Sequence, residues 1–145
     1  VTGPAPLLPP QRAIGLDYGR VRIGVAVCDA TGISTRPLGF VPRADDASAA
    51  AIVAALAKRE EAACIVIGLP LHAHGDAGAN VRWVRAFTAV LAKHCPLPVI
   101  EVDERYSSGE AEDALKAEGR WPAKPGDVDA RAAAILLRRW LDGEK

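Results

Sequence analysis

Bulky and small residues alternate most clearly near the start of the chain. The stretch reads Ile14-Gly15-Leu16-Asp17-Tyr18-Gly19, breaks at Arg20 and Val21, and resumes as Arg22-Ile23-Gly24-Val25-Ala26-Val27. A period of two puts Ile14 and Leu16 on one face of a first strand, and Gly15, Asp17 and Gly19 on the other. The second strand repeats this, with Ile23, Val25 and Val27 opposed by Gly24 and Ala26. Each strand therefore has one bulky face and one nearly bare face. The pattern predicts a hairpin with a carboxylate, Asp17, where its first strand stops.

Further along, Pro37 to Val41 predicts a third short strand ended by Pro42, which makes an antiparallel meander. Asp45 or Asp46 then caps an Ala-rich helix to about Arg59, with Ile52, Val53 and Leu56 as its inward stripe. The unbroken apolar run from Ala63 to Gly68 predicts a strand covered on both faces and parallel to the first. A loop from Leu69 to Asn80 leads to a helix with inner face Val81, Val84, Thr88 and Leu91. Val99 to Val102 forms a fifth strand that delivers Asp103, Glu104 and Arg105 at its carboxyl end. Ser107-Ser108-Gly109-Glu110 matches a capping box for a helix to about Glu118, stopped by Gly119. Asp127 reads as the N-cap of a last helix that turns Ala132, Ala133, Leu136, Leu137 and Trp140 inward. The order predicts an α/β fold, a mixed five-stranded sheet of three antiparallel strands then two parallel ones, with helices on both faces.

Composition narrows the class. The 145 residues are 50% hydrophobic, enough for one domain with a real core. Nothing approaches a membrane-spanning run, so no membrane partner is expected. Residues 1–12 read as a flexible Pro-rich leader, 13–141 as the domain and 142–145 as a tail. Cys28, Cys64 and Cys95 stand singly in or beside apolar segments, which fits buried thiols in a reducing cytoplasm. The 18 basic and 18 acidic residues balance, against binding of polyanions by overall charge. A local basic rim remains open to Arg20, Arg22, Arg82, Arg85, Arg105, Arg120, Lys124 and Arg131.

The carboxyl ends of the first, fourth and fifth strands point the same way, where open α/β sheets bind ligands. Asp17 and Glu104 belong there, and Asp129 rides the start of the last helix, which Ala132 and Ala133 make approachable. Three carboxylates converging in a partly dry site persist as anions around cations, so Mg2+ or Mn2+ is the expected occupant. Two such ions about 4 Å apart would orient a water for in-line attack on a phosphodiester. Taken singly, Glu104 also reads as an ion-pair partner of Arg105, and Asp129 as a first-turn acid favoured by the helix dipole. Arg20, Arg22 and Arg105 lie nearest the acids as substrate contacts, although Arg22 also reads as half of an internal ion pair. His72 and His74, at a loop crest, read as solvated or as phosphate contacts. Tyr106 and Trp121 are the candidates for base stacking, and Trp83 and Trp140 read as packing residues.

Gly15-Leu16-Asp17-Tyr18-Gly19, Arg22-Ile23-Gly24-Val25-Ala26, Ile67-Gly68-Leu69-Pro70-Leu71, Asp103-Glu104-Arg105 and Val128-Asp129-Ala130-Arg131-Ala132-Ala133 stand in the order and spacing of the YqgF/RuvX family. The chain resembles that family from about Arg12 to Leu141. The resemblance implies a ribonuclease H-like fold and a cytoplasmic bacterial nuclease that matures the 5′ end of pre-16S rRNA, or one that resolves Holliday junctions. It implies RNA as partner, with structured DNA as the alternative, and places the family's acids on Asp17, Glu104 and Asp129. A monomer or weak homodimer is expected. The family's Pro-Leu-Asn-x-Asp-Gly loop is here Pro70-Leu71-His72-Ala73-His74-Gly75, and no carboxylate ends the fourth strand, so Glu104 must serve there. A non-catalytic RNA-binding or ribosome-assembly module is a competing reading. An actin-like or sugar-kinase ATPase closes two related domains over its nucleotide, and 145 residues make only one.

Overall fold

A computed structural model describes residues 9–71 and 77–143. Its elements run β1 (Ala13–Tyr18), β2 (Arg22–Cys28), β3 (Thr35–Pro42), α1 (Asp46–Arg59), β4 (Cys64–Leu69), α2 (Ala77–Ala92), β5 (Val99–Asp103), α3 (Ser107–Ala117) and α4 (Asp127–Leu141). The strands form one sheet in the order β3-β2-β1-β4-β5. β1, β2 and β3 pair antiparallel, whereas β4 pairs parallel with both β1 and β5. This is the expected mixed sheet, and it brings the carboxyl ends of β1, β4 and β5 to one end. Among the described residues no helix is long and apolar enough to cross a membrane.

The alternation along the hairpin separates two cores. On one face Ile14, Leu16, Ile23, Val25, Ile65 and Ile67 meet α1 and α2. On the other, Ala13, Ala26, Cys64 and Val66 meet α4 through Ala133, Leu137 and Trp140. All six residues of β4 are buried, as a central strand with helices on both faces requires. The three cysteines are buried and free, and burial pushes the Cys64 thiol up to about 12.

The inner face of α1 differs from expectation, whereas α2 buries Val84 and Leu91 as expected and adds Phe87. α1 buries Ala49, Ala50, Val53 and Ala57, while Ile52 is 44% exposed. Because α1 packs against α2 as well as the sheet, small residues line its contact face and Ile52 is rotated outward. In α2 the deepest anchor is Phe87, fully buried with its ring 5.0 Å from that of Tyr18. Trp83 is exposed rather than packed, and the Arg20 guanidinium lies 4.4 Å over its ring. Trp140 is buried as expected.

Two helix starts are also corrected. Asp45 does cap α1, accepting the Ser48 backbone N–H at 2.7 Å. Ser107, by contrast, is the first residue of α3, buried, and preceded by Tyr106 in the left-handed region at φ 61°. Its N–H donates to the Glu104 carbonyl at 3.0 Å, so the chain turns from β5 into α3 too tightly for a capping box. At α4 the cap position is Gly126, φ 85°, and Asp127 is already helical. A Cβ at Gly126 would also sit 2.1 Å from the Phe40 ring, so the glycine answers two demands at once.

α4 lies directly on the bare stripe of the sheet. A Cβ at Gly24 would be 1.9 Å from the Asp129 carbonyl oxygen, and one at Gly15 would be 2.5 Å from Leu137 Cγ. Gly68 faces Leu136 Cδ1 at 2.7 Å in the same sense. Gly24→Ala must therefore displace helix backbone and is expected to cost about 3 kcal/mol or more. Gly109→Ala, on α3 with open space around it, should be neutral or stabilising by up to about 1 kcal/mol. Denaturant unfolding of the two variants measures the contrast.

Candidate active site

Asp17, the penultimate residue of β1, lies opposite Gly24 of β2. Its side chain lines a cavity of about 550 Å³ together with Tyr18, Glu104, Arg105, Tyr106 and Asp129. Glu104 follows β5 directly, and its N–H donates to the Leu69 carbonyl at 3.1 Å. Its side chain lies across the end of β4, since a Cβ on Gly68 would be 3.0 Å from both Glu104 Cβ and Oε2. β4 itself ends without a carboxylate. The glycine there opens the space that the neighbouring strand's glutamate fills.

The Asp17 and Glu104 carboxyl groups face each other across the end of β4, close enough for each to act on the other's ionisation. Burial, then the neighbouring Glu104, and finally the charge of Asp129 hold Asp17 well above the usual carboxylate range. Burial also raises Glu104, opposed by the neighbouring Asp17, with the Asp103 charge raising it further and the Arg139 charge lowering it. Both carboxyls are thus held above the ordinary carboxylate range, Asp17 the more strongly.

Asp129, in the first turn of α4, shares the cavity but is engaged elsewhere. Arg22 Nε donates to its Oδ2 at 3.0 Å, with both side chains partly exposed. Among the described residues no three His, Cys, Asp or Glu side chains are gathered closely enough to hold a metal ion. Two carboxylates facing each other this closely nonetheless need a proton or a cation between them. Their all-oxygen donor set in a roomy polar cavity fits a hard divalent ion that keeps waters. The residues present therefore suit such an ion at Asp17 and Glu104, with Asp129 available on exchange from Arg22.

The other predicted residues are placed as follows. Arg20 is exposed beside Trp83. Arg105 is exposed at the cavity, its backbone N–H donating to Asp103 Oδ1 at 2.9 Å and its guanidinium 3.9 Å from Asp103. Tyr106 is 75% exposed on the cavity wall. His72 and His74 lie outside the described residues. Much of the rim is internally neutralised: Arg85 pairs with Glu101 at 3.3 Å, Arg120 with Asp127 at 3.6 Å, and Arg131 with Glu118.

Sequence pattern alone missed the group that holds the turn beside Asp17. Tyr18 Oη donates to Asp46 Oδ1 at 2.8 Å, and Arg43 Nε donates to both at 2.8 Å. Arg43 also donates to the Arg20 carbonyl at 3.2 Å. The Arg43 to Asp46 spacing is a signal of this pairing, but nothing in the sequence brings Tyr18 to it. At the opposite wall Arg139 donates to the Asp103 carbonyl and to Glu110, each at 3.0 Å, tying α4 to the end of β5.

The raised carboxyls give a pH dependence of definite sign. A carboxyl whose folded pKa exceeds its unfolded one stabilises the fold below the unfolded value, and loses that contribution as pH rises through the folded value. In chelating buffer, stability should fall as pH climbs from about 4, the ordinary carboxyl range, towards neutrality. Asp17→Asn should flatten that fall and raise the melting temperature at neutral pH. Added Mn2+ should stabilise the wild type and leave the variant nearly unmoved, as thermal melts at several pH values would record.

The RuvX family model, described as Holliday junction resolvase, matches residues 11–143. A Synechococcus elongatus protein named "Putative pre-16S rRNA nuclease" is 43% identical over 95% of this chain and 93% of its own length. An Anaeromyxobacter protein of the same name is 42% identical over 92% of this chain and 98% of its own. Among solved structures, T. thermophilus RuvC in complex with a Holliday junction substrate aligns with a TM-score of 0.57, covering 91% of this chain and 94% of that one. At 17% identity that likeness speaks for the fold. With a matching model over nearly all of its length and relatives above 40% identity, the chain belongs to the RuvX family.

Proposed function

We propose that the chain is a divalent-metal-dependent nuclease that hydrolyses phosphodiester bonds, with the 5′ end of pre-16S rRNA as its substrate. The observation that carries this reading is the convergence of Asp17, Glu104 and Asp129 on one cavity at the carboxyl end of the sheet. Bound Mg2+ or Mn2+ supplies an activated water and stabilises the leaving oxygen. Asp17 and Glu104 would hold the ion through their carboxylate oxygens. Asp129 is the third acid, held in reserve by Arg22 until substrate phosphate or metal competes for the pair. Arg20 and Arg105 contact substrate phosphates from the rim, and Tyr106 offers an aromatic face to a base. The relatives' name favours RNA, and the family description makes branched DNA the substrate to compare.

The Arg22–Asp129 ion pair supports a second reading. If Arg22 never yields, the site has two acids and the chain is an RNA-binding or assembly module. Labelled single-stranded RNA, duplex DNA and four-way junctions, incubated with wild type and Asp17→Asn with and without Mn2+, separate the readings. Cleavage that needs the cation and disappears in Asp17→Asn, with the fold intact by circular dichroism, is expected. Binding without cleavage under every condition would favour the module, and full activity in excess chelator would defeat the metal mechanism. Neutralising Arg20 or Arg105 should weaken binding across sequences and lower the salt slope by about one unit.

A further inference from the structure

Beside the acid cavity lies a second one, of about 510 Å³, that shares Tyr106 and Arg105 with it. We infer that this second cavity receives an unpaired nucleobase adjacent to the scissile phosphate, stacked on Tyr106, so that the substrate is single-stranded there. The inference rests on the nuclease reading and adds the local form of the substrate.

The lining decides between a base and a phosphate. Arg139 is already committed, donating to the Asp103 carbonyl and to Glu110 Oε1. Arg138 donates to the Gly32 carbonyl. Three guanidinium groups thus face two carboxylates, those of Asp103 and Glu110, leaving one excess positive charge. Arg105 stands where the two cavities meet and serves the phosphate at that border, whereas a phosphate seated deeper would meet the Glu110 carboxylate with Arg139 already occupied. A neutral base meets no such repulsion, and Glu110 can accept from an exocyclic amino group. Ile135 supplies an apolar surface for the ring.

Tyr106 supplies the stacking face. It is 75% exposed, and its backbone is left-handed, a conformation uncommon for a bulky residue and concentrated at functional positions. That conformation is fixed on both sides, by Ser107 N–H donating to Glu104 and by Glu110 N–H donating to the Tyr106 carbonyl at 2.9 Å. The ring therefore borders both cavities without support from a hydrophobic core. A base stacked in a duplex has no free face to lay on Tyr106 and cannot leave the helix to enter a cavity, so entry requires an unpaired or extruded nucleotide.

The test uses short single-stranded oligonucleotides carrying 2-aminopurine at each position in turn, bound to the full chain in chelating buffer, with matching duplexes. One position is expected to change fluorescence on binding. Tyr106→Ala should abolish that change and weaken single-strand binding about tenfold, Tyr106→Phe should keep both, and duplex binding should not move. Unchanged single-strand binding in Tyr106→Ala, or equal losses in the Ala and Phe variants, would overturn the pocket. If cation-dependent cleavage persists alongside that result, the pocket fails and the nuclease reading stands. If the Tyr106-dependent signal appears while no substrate is ever cleaved, the pocket stands and the nuclease reading fails.

Discussion

The arrangement of this molecule depends on how closely α4 approaches the sheet. Helix backbone at Asp129 rests where a side chain on Gly24 would be, and Leu136 and Leu137 rest against Gly68 and Gly15. Burying Leu136, Leu137 and Trp140 contributes about 1.5–3 kcal/mol each, which holds the helix against the strands. The same contact fixes where its first turn lies, and therefore where Asp129 and its partner Arg22 meet. Packing and chemistry are set by one distance. A methyl group at Gly24 would disturb both.

Electrostatics then distributes the acids unequally. Asp17 and Glu104 are brought together by backbone geometry, and burial together with their mutual repulsion holds the Asp17 carboxyl well above the usual range. Asp129 escapes this by taking Arg22 as counter-ion. The cavity thus has mutually repelling carboxyls on one side and an ion pair on the other. The Tyr18, Arg43 and Asp46 group pins the adjoining turn to the start of α1 and so holds the strand end that carries Asp17.

Much of this was legible in the sequence. Period-two alternation fixed the hairpin and both its faces, and an unbroken apolar run identified β4 as central. Asp17 stood out because a carboxylate interrupted a bare strand face, and Glu104 because it ended a strand. Helix starts were less legible, because Ser107 and Asp127 have the composition of caps while the chain reverses through left-handed Tyr106 and Gly126 instead. Cap preference is local, and these turns are dictated by the tight exit from β5 and the contact with Phe40. The inward stripe of α1 failed for a related reason, since a helix squeezed between a sheet and another helix selects alanine over isoleucine. The Arg22–Asp129 pair spans 107 positions, and no periodicity encodes a contact of that range.

The rims of the sheet carry a consequence for self-association. β3 contains Pro37 and ends at Pro42, residues that withhold backbone N–H groups, and a bulge between Val25 and Ala26 interrupts its pairing with β2. At the opposite rim β5 is five residues long, with exposed Glu101 clamped by Arg85. Prolines, irregular pairing, brevity and charge all make a strand edge a poor template for another backbone. Misfolded copies of this domain are thereby denied the simplest route to cross-β aggregation, the addition of one sheet to the rim of the next.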